Sequence, residues 1–306
     1  MIYTLTLNPS IDYLMYIDEI RTGKTNRSTR EQMLPGGKGI NVSRILNQFE
    51  VPNIALGFVG GFSGAFIREW LEKEGSSTQF IEIASPTRIN VKTKGTNETE
   101  INGAGPVIEE EAVNQLRQQI QMMTSDDLIV LSGSKAQGMP DDFYLNIIHL
   151  LKERNIPFIF DTASQELIEA LPMAPLLVKP NQDELADLFG VELNSLADVV
   201  VYGKKLQEMG AENVIVSLGG DGALFIDNER IVKADAPQGQ VINTVGSGDS
   251  MIAGFIAGLQ QGLPASQAFV LAVQSGSATA FKEDLAEKQD IDALNGAVGL
   301  SFLHNK

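Results

Sequence analysis

Residues Asn243 to Ser250 read NTVGSGDS and lead into the apolar helical run MIAGFIAGL. Gly246 and Gly248 carry no Cβ, so the backbone there can take positive φ and aim successive N–H groups at one point. The helix N-terminus adds partial positive charge, and the junction is suited to hold an anion. Asp249 projects into that pocket. As a first-turn acid it complements the helix dipole. As a general base it takes the proton of an attacking hydroxyl while the amides stabilise a transferred phosphoryl group. The residues alone leave both readings open. The β-type run Gly239 to Ile242 just before it predicts a strand–glycine loop–helix junction.

Three other stretches carry residue types suited to the same chemistry. PGGKGIN (35–41) is not a P-loop, because Gly39 follows Lys38 where Ser or Thr would hold magnesium. It is a tight turn at a helix start, or a glycine turn that lets sugar hydroxyls approach the backbone, with Lys38 and Asn41 as donors. Asp12 and several basic residues in the same neighbourhood favour the second. In KPNQDEL, Asn181 and Glu184 form a capping box. The same pair, close together on one helix face, could order the waters around a magnesium ion, and Lys179 could neutralise phosphate charge. SLGGDG (217–222) suits backbone lying against a nucleotide, or a turn between two strands. A dinucleotide fingerprint fails because Met251 stands where its last glycine is required. No G-x-S-x-G or H-E-x-x-H motif occurs.

A chain of 306 residues with 43% hydrophobic content buries a large core. The net charge of −16 argues against nucleic acid or an anionic membrane as partner. Residues 1–48 run against the trend, with Arg21, Lys24, Arg27, Arg30, Lys38 and Arg44 facing only Asp12, Asp18, Glu19 and Glu31, and this basic island predicts an anion site near the N-terminus. The chain has no cysteine, so thiolate chemistry and zinc–sulfur sites are excluded. Its two histidines, His149 on an amphipathic helix and His304 in the terminal tail, cannot cluster. MIYTLTLNPSID reads as a first strand and not as a signal peptide, and no apolar run is long enough to span a membrane. A soluble cytoplasmic protein is expected.

The elements that must position these residues alternate in β and α character along the chain, which predicts an α/β fold with a mostly parallel sheet. IYTLTL is the first strand, GINVSRILNQF a helix, NIALGFVG a strand, TQFIEI (78–83) a strand, and two long helices (250–261 and 264–282) close the fold. Two pairs of runs break the rhythm: 11–20 with 26–34, and 88–94 with 98–103. They read as a small antiparallel sheet standing off the core, a lid over the ligand-binding edge. A single domain over 1–306 is expected, with the lid inserted from about 11–34 and 86–104. The exposed lid edges predict a homodimer joined through the lids.

GGKGIN, KPNQDE, SLGGDG and TVGSGDS occur in the order and spacing of the ribokinase-like PfkB carbohydrate kinases, and this resemblance covers essentially the whole chain. TLNPSIDY, TRINVK (87–92) and TEIN (99–102) resemble the bacterial branch acting on fructose 1-phosphate; a tagatose 6-phosphate branch, which shares TLNPS and GGKG but not TRINVK, or another sugar kinase of the family, is the alternative. The resemblance implies a three-layer α/β/α domain with a β-sheet lid. It further implies transfer from ATP, with Mg2+, to the 6-hydroxyl of fructose 1-phosphate. It makes Asp249 the base and the Gly246, Ser247 and Gly248 amides the anion hole. Asn181 and Glu184 become the magnesium-water pair, and Ser217, Gly219 and Gly222 the nucleotide contacts. Asp12, Gly37, Lys38 and Asn41 match sugar-binding positions, and Arg88 with Arg27 those that grip the sugar's phosphate. SGSKAQGMP (132–140) departs from the family, with Lys135 and Gln137 where relatives read closer to SGSLPPG, so the resemblance assigns that loop no role.

Overall fold

A computed structural model describes residues 1–162 and 164–303. In chain order the elements are β1 (Ile2–Thr6), β2 (Ser10–Tyr16), β3 (Arg30–Gly36), α1 (Lys38–Gln48), β4 (Asn53–Val59), α2 (Gly61–Lys73), β5 (Ser77–Thr78), β6 (Ile81–Glu82), β7 (Arg88–Lys94) and β8 (Thr99–Asn102). There follow α3 (Glu110–Gln121), β9 (Leu128–Ser132), α4 (Phe143–Glu153), β10 (Phe158–Asp161), α5 (Glu166–Ala170), β11 (Leu177–Val178), α6 (Gln182–Phe189), α7 (Leu196–Glu208) and β12 (Val214–Ser217). The last are β13 (Ala223–Ile226), β14 (Ile231–Ala234), α8 (Ser247–Gln260), α9 (Ala265–Ala280), α10 (Lys288–Asp292) and β15 (Leu300–Leu303).

The large sheet runs β15-β14-β13-β12-β11-β10-β9-β1-β4-β5, parallel from β12 to β5 and antiparallel at the β13–β15 end. Strand alternation sorts its side chains into two cores. Leu128 and Val130 of β9, with Ile215 of β12, pack with α1, α8 and α9; Ile129, Leu131, Val214 and Val216 pack with the helices of the other face. That is the three-layer α/β/α arrangement, and it explains why the inner strands are apolar on both faces. Helix α8 is buried almost all round because the sheet, α1 and α9 enclose it. Helix α6 begins at the expected capping box, with Glu184 N–H donating to Asn181 Oδ1 at 2.7 Å and Asn181 N–H to Glu184 Oε2 at 2.8 Å.

The second sheet has the order β3-β2-β7-β8, with its segments as expected but not its handedness of pairing. Only its outer pairs are antiparallel; β2 and β7 are parallel, Asp12 opposite Asn90. Both strands leave the same edge of the large sheet, β2 three residues after β1, so they set out in the same direction. TQFIEI is not one strand but two short pieces, β5 and β6, each parallel to β4. Residues 239–242 are not a strand either: Ile242 N–H donates to Ala280 O at the end of α9, and the segment has no sheet partner among the described residues. The short α5, α10 and β15 carry too little periodicity to be read from the sequence. His149 is exposed on α4, and His304 lies outside the described residues.

The N-terminal basic residues do not converge. Arg30 pairs with Glu283 at 2.6 Å, and Arg21, Lys24 and Arg27 are exposed in the 17–29 segment. Arg44, 7% exposed, forks onto Glu74 (2.8 Å) and Asp284 (2.7 Å), tying α1 to the end of α2 and to the 281–287 segment. Two half-buried carboxylates therefore share one buried guanidinium. Arg44→Met is expected to lower unfolding stability by about 3 kcal/mol in urea titration, because both acids lose their partner. A loss below about 1 kcal/mol would show that water reaches the network.

Candidate active site

A cleft of about 1050 Å³ lies between the lid and the carboxyl edge of the parallel sheet. In an open α/β sheet this edge is where loops diverge and ligands bind, most of all where strand order reverses, here between β1 and β9. Its lining includes Thr6 and Asn8 after β1, Gly133 and Ser134 after β9, and Ser10, Asp12, Arg88 and Asn90 from the lid. Gly37, Lys38 and Asn41 of the α1 start, Asn181 and Glu184, Ser217, Gly219 and Gly222, and Gly246 to Asp249 complete it.

Asp249 is 6% exposed in the first turn of α8. Gly246 caps that helix at φ 81°, a left-handed conformation. A Cβ at Gly248 would fall 2.8 Å from Lys179 Nζ, so a side chain there would displace the ammonium from its present place beside the loop. Ser247 N–H donates to Thr244 O at 3.2 Å. The expected anion hole therefore loses one of its three amides. Those of Gly246 and Gly248, and that of Asp249, take no hydrogen bond among the described residues and remain for an anion.

Three further charged groups surround Asp249. Lys38 Nζ lies 2.9 Å from Asp161 Oδ2, and Lys179 Nζ lies 3.6 Å from Asp161 Oδ1. Asp161, 3% exposed, ends β10 and is the residue the sequence reading missed. Its signal was a lone carboxylate closing the buried run FIF. Burial opposes its charge, yet Lys179 and Lys38 hold its carboxyl below the usual range. Burial likewise opposes the Lys38 ammonium, but Asp161 and Asp249 hold it above its ordinary value. Asn41 Nδ2 donates to Asp249 Oδ2 at 2.8 Å, so this expected sugar contact also orients the acid.

The other expected residues divide plainly. Ser217, at the end of β12, and Gly219 and Gly222 in the turn after it form the far wall. Asn181 and Glu184 keep their capping box and still line the cleft; Glu184 Oε1 takes no protein hydrogen bond among the described residues. No three His, Asp or Glu side chains converge on one point among the described residues. A cation would therefore have to bring most of its own ligands, as hydrated Mg2+ does with phosphates. Arg88 is half-buried; its Nε donates to Asn8 O (3.2 Å) and its Nη1 to Gly103 O (3.1 Å), with no carboxylate pair among the described residues. Burial lowers its pKa, and Asp12 offsets this only in part. Arg27 is not brought to the cleft of its own chain. In the 132–140 loop, Lys135 turns away to Glu166 at 2.8 Å and Gln137 is exposed, so Gly133 and Ser134 are its contribution to the cleft.

A buried carboxylate beside free helix amides and two ammonium groups, in a cleft between a lid and the sheet edge, defines a phosphotransferase acting on a small hydroxylated molecule. The chain belongs to the pfkB family of carbohydrate kinases, whose profile matches residues 5–291. It is 47% identical to the 1-phosphofructokinase of Bacillus subtilis over 96% of this chain and 97% of that protein. It is 36% identical to the D-tagatose-1-phosphate kinase of Bacillus licheniformis over 99% of this chain and 100% of that one. Among solved structures, phosphofructokinase-2 from Escherichia coli in complex with substrates and products superposes with a TM-score of 0.90 at 29% identity, covering 95% of this chain and 97% of that one.

Burial, then Asp161, pushes the Asp249 carboxyl from its ordinary 3.8 up to about 6, against Lys38, Asn41 and Lys179. Between those values the folded chain binds a proton there that the unfolded chain does not, so this group's contribution to stability falls as pH rises from about 4 to about 6. Asp249→Asn is expected to melt above the wild type at about pH 7.5, the gap closing toward about pH 4. A gap independent of pH would mean that Asp249 is ionised at no cost in the fold.

Proposed function

We propose that this protein is a sugar-phosphate kinase that transfers the γ-phosphoryl group of ATP to the 6-hydroxyl of fructose 1-phosphate, giving fructose 1,6-bisphosphate. The observation that carries the acceptor is Arg88, a half-buried guanidinium with no paired carboxylate among the described residues, held in the cleft by carbonyls that do not neutralise its charge. A phosphate supplies that missing partner, and the planar fork suits its oxygens. The 47% identity to a 1-phosphofructokinase supports the same acceptor.

In this reading the sugar lies against Asp12, Gly37, Lys38 and Asn41, with its phosphate on Arg88. Asp249 takes the proton of the 6-hydroxyl as that oxygen bonds to the γ-phosphorus and the bond to the β–γ bridging oxygen breaks. The Gly246 and Gly248 amides, Lys38 and Lys179 stabilise the charge on the transferring group. Ser217, Gly219 and Gly222 hold the nucleotide. Asn181 and Glu184 would hold the waters of a bound Mg2+, which would neutralise the phosphate oxygens. We treat 1–306 as one domain with the lid inserted from about 11–34 and 86–104. The cytoplasm, where ATP and phosphorylated sugars are held, is the compartment consistent with these substrates.

A homodimer through the lids belongs to the same proposal. Met33, Tyr13, Val91 and Ile101 form a row across the outer lid face, and Met33 and Ile101 are 47% and 64% exposed. Arg27, exposed in the 17–29 segment and absent from its own cleft, would reach a sugar phosphate only in the partner's cleft. Light scattering at micromolar concentration is expected to give the mass of a dimer, and a monomer would remove this part of the proposal.

Acceptor identity is tested by ADP release with fructose 1-phosphate, fructose 6-phosphate, tagatose phosphates and unphosphorylated sugars side by side. Fructose 1-phosphate is expected to give the highest kcat/KM; a higher value for another sugar would replace it. Arg88→Ala is expected to raise KM for fructose 1-phosphate at least about tenfold while changing KM for ATP far less. Equal loss for both substrates would place Arg88 elsewhere. Asp249→Asn is expected to lower kcat by about 10²–10⁴ with ligand binding kept.

A further inference from the structure

The cleft-facing side of the lid pairs Asp12 with a lysine, Lys92, that the proposed chemistry leaves unused. Along β7, Arg88, Asn90 and Lys92 share one face, beside Ser10, Asp12 and Leu14 of β2 in parallel register. Asp12 Oδ1 accepts from Ser10 Oγ and from Asn90 Nδ2, each at 2.9 Å. Asp12 Oδ2 lies 2.9 Å from Lys92 Nζ, and Lys92 is only 11% exposed. Asn90 is fixed in turn, donating to Ser10 Oγ at 3.0 Å and accepting from Gly103 N–H at 3.2 Å. Lys92 does not line the cleft; it sits behind Asp12, in a smaller recess closed by Asn243, Val245 and Glu283.

Asp12 alone is a poor neighbour for a phosphorylated acceptor. A carboxylate facing a phosphate under a water-poor lid repels it, and a free carboxylate rotates. Lys92 offsets that charge from the side away from the acceptor, and with Ser10 and Asn90 it fixes both oxygens. Oδ1 is filled by its two donors, and Oδ2 keeps a further lone-pair direction for a hydroxyl. The second acid near Lys92, Glu100, is farther at 3.9 Å and half exposed, so Asp12 is the main partner.

We propose that Lys92 is a positioning residue that acts through Asp12, holding it as a hydroxyl acceptor while cancelling its repulsion of the acceptor's phosphate. The preference for phosphorylated over unphosphorylated sugar then depends on the Lys92–Asp12 pair. This rests on the reading of the acceptor as a sugar phosphate.

A double-mutant cycle tests it. Lys92→Met is expected to raise KM for fructose 1-phosphate at least about tenfold, with KM for ATP within about twofold and kcat within about threefold. The ratio of kcat/KM for fructose 1-phosphate over fructose is expected to fall at least about tenfold. Lys92→Arg, which keeps the charge, should retain most of both. In an Asp12→Asn background, adding Lys92→Met should change KM less than about twofold. An unchanged KM in Lys92→Met, or the same rise with and without the Asp12 carboxylate, overturns the proposal. Should Lys92→Met fail to fold, Lys92→Gln is read by the same criteria. If the wild type uses only another sugar phosphate, the assigned acceptor falls, and the same cycle run on that substrate still decides the role of Lys92.

Discussion

Asp161 is nearly out of contact with water at the end of β10, and two ammonium groups meet it there. Lys38 arrives from the start of α1 and Lys179 from the end of β11, so one carboxylate couples two crossovers that are far apart in the chain. Desolvated charges are tolerable only when paired, and this pairing fixes where the floor of the cleft stands. It also sets the character of Asp249. Burial is the larger cause and the ionised Asp161 beside it the second, so Asp249 holds its proton more tightly than an ordinary aspartate. Two acids and two ammonium groups make a floor near neutrality, with both ammoniums within reach of any phosphate that enters.

The loop before α8 works only because of what packs behind it. Gly246 leaves room for Leu285, Gly248 for Lys179, and Asn41 reaches across from α1 to orient the acid. The 281–287 segment that supplies Leu285 is in turn anchored by Arg44 through Asp284, and by Asn243, whose Nδ2 donates to Glu283 O at 3.0 Å. The amides that face the cleft are therefore set by a buried ionic network on the far side of the loop. Preorganised donors of this kind need no rearrangement when charge develops on a ligand.

The lid separates its two faces by the two-residue period of its strands. Ser10, Asp12, Arg88 and Asn90 point toward the cleft, while Tyr13, Met33, Val91 and Ile101 point outward. Arg30 on β3 binds Glu283 at 2.6 Å, which links the lid to the segment behind the α8 loop. Exposed pairs like this one contribute little to stability, so the link constrains geometry more than it stabilises the fold.

Local signals decided much of this protein without reference to tertiary contacts. Alternating apolar runs determined the layered α/β sheet, glycines before an apolar helix marked the α8 loop, and N-x-x-E placed the start of α6, because propensity, capping and period act within a few residues. Strand polarity marked the lid segments, but not that β2 and β7 run parallel, since direction is set by where each strand leaves the large sheet. The basic N-terminal island misled for a related reason: nearness in sequence does not bring charges together, and carboxylates distant in the chain claimed Arg30 and Arg44. Residues 239–242 had strand composition but no free sheet edge to join. Asp161, Lys92 and the raised pKa of Asp249 were decided by the tertiary structure alone, because burial and the distance to a counter-charge exist only once strands and helices from separate parts of the chain have packed.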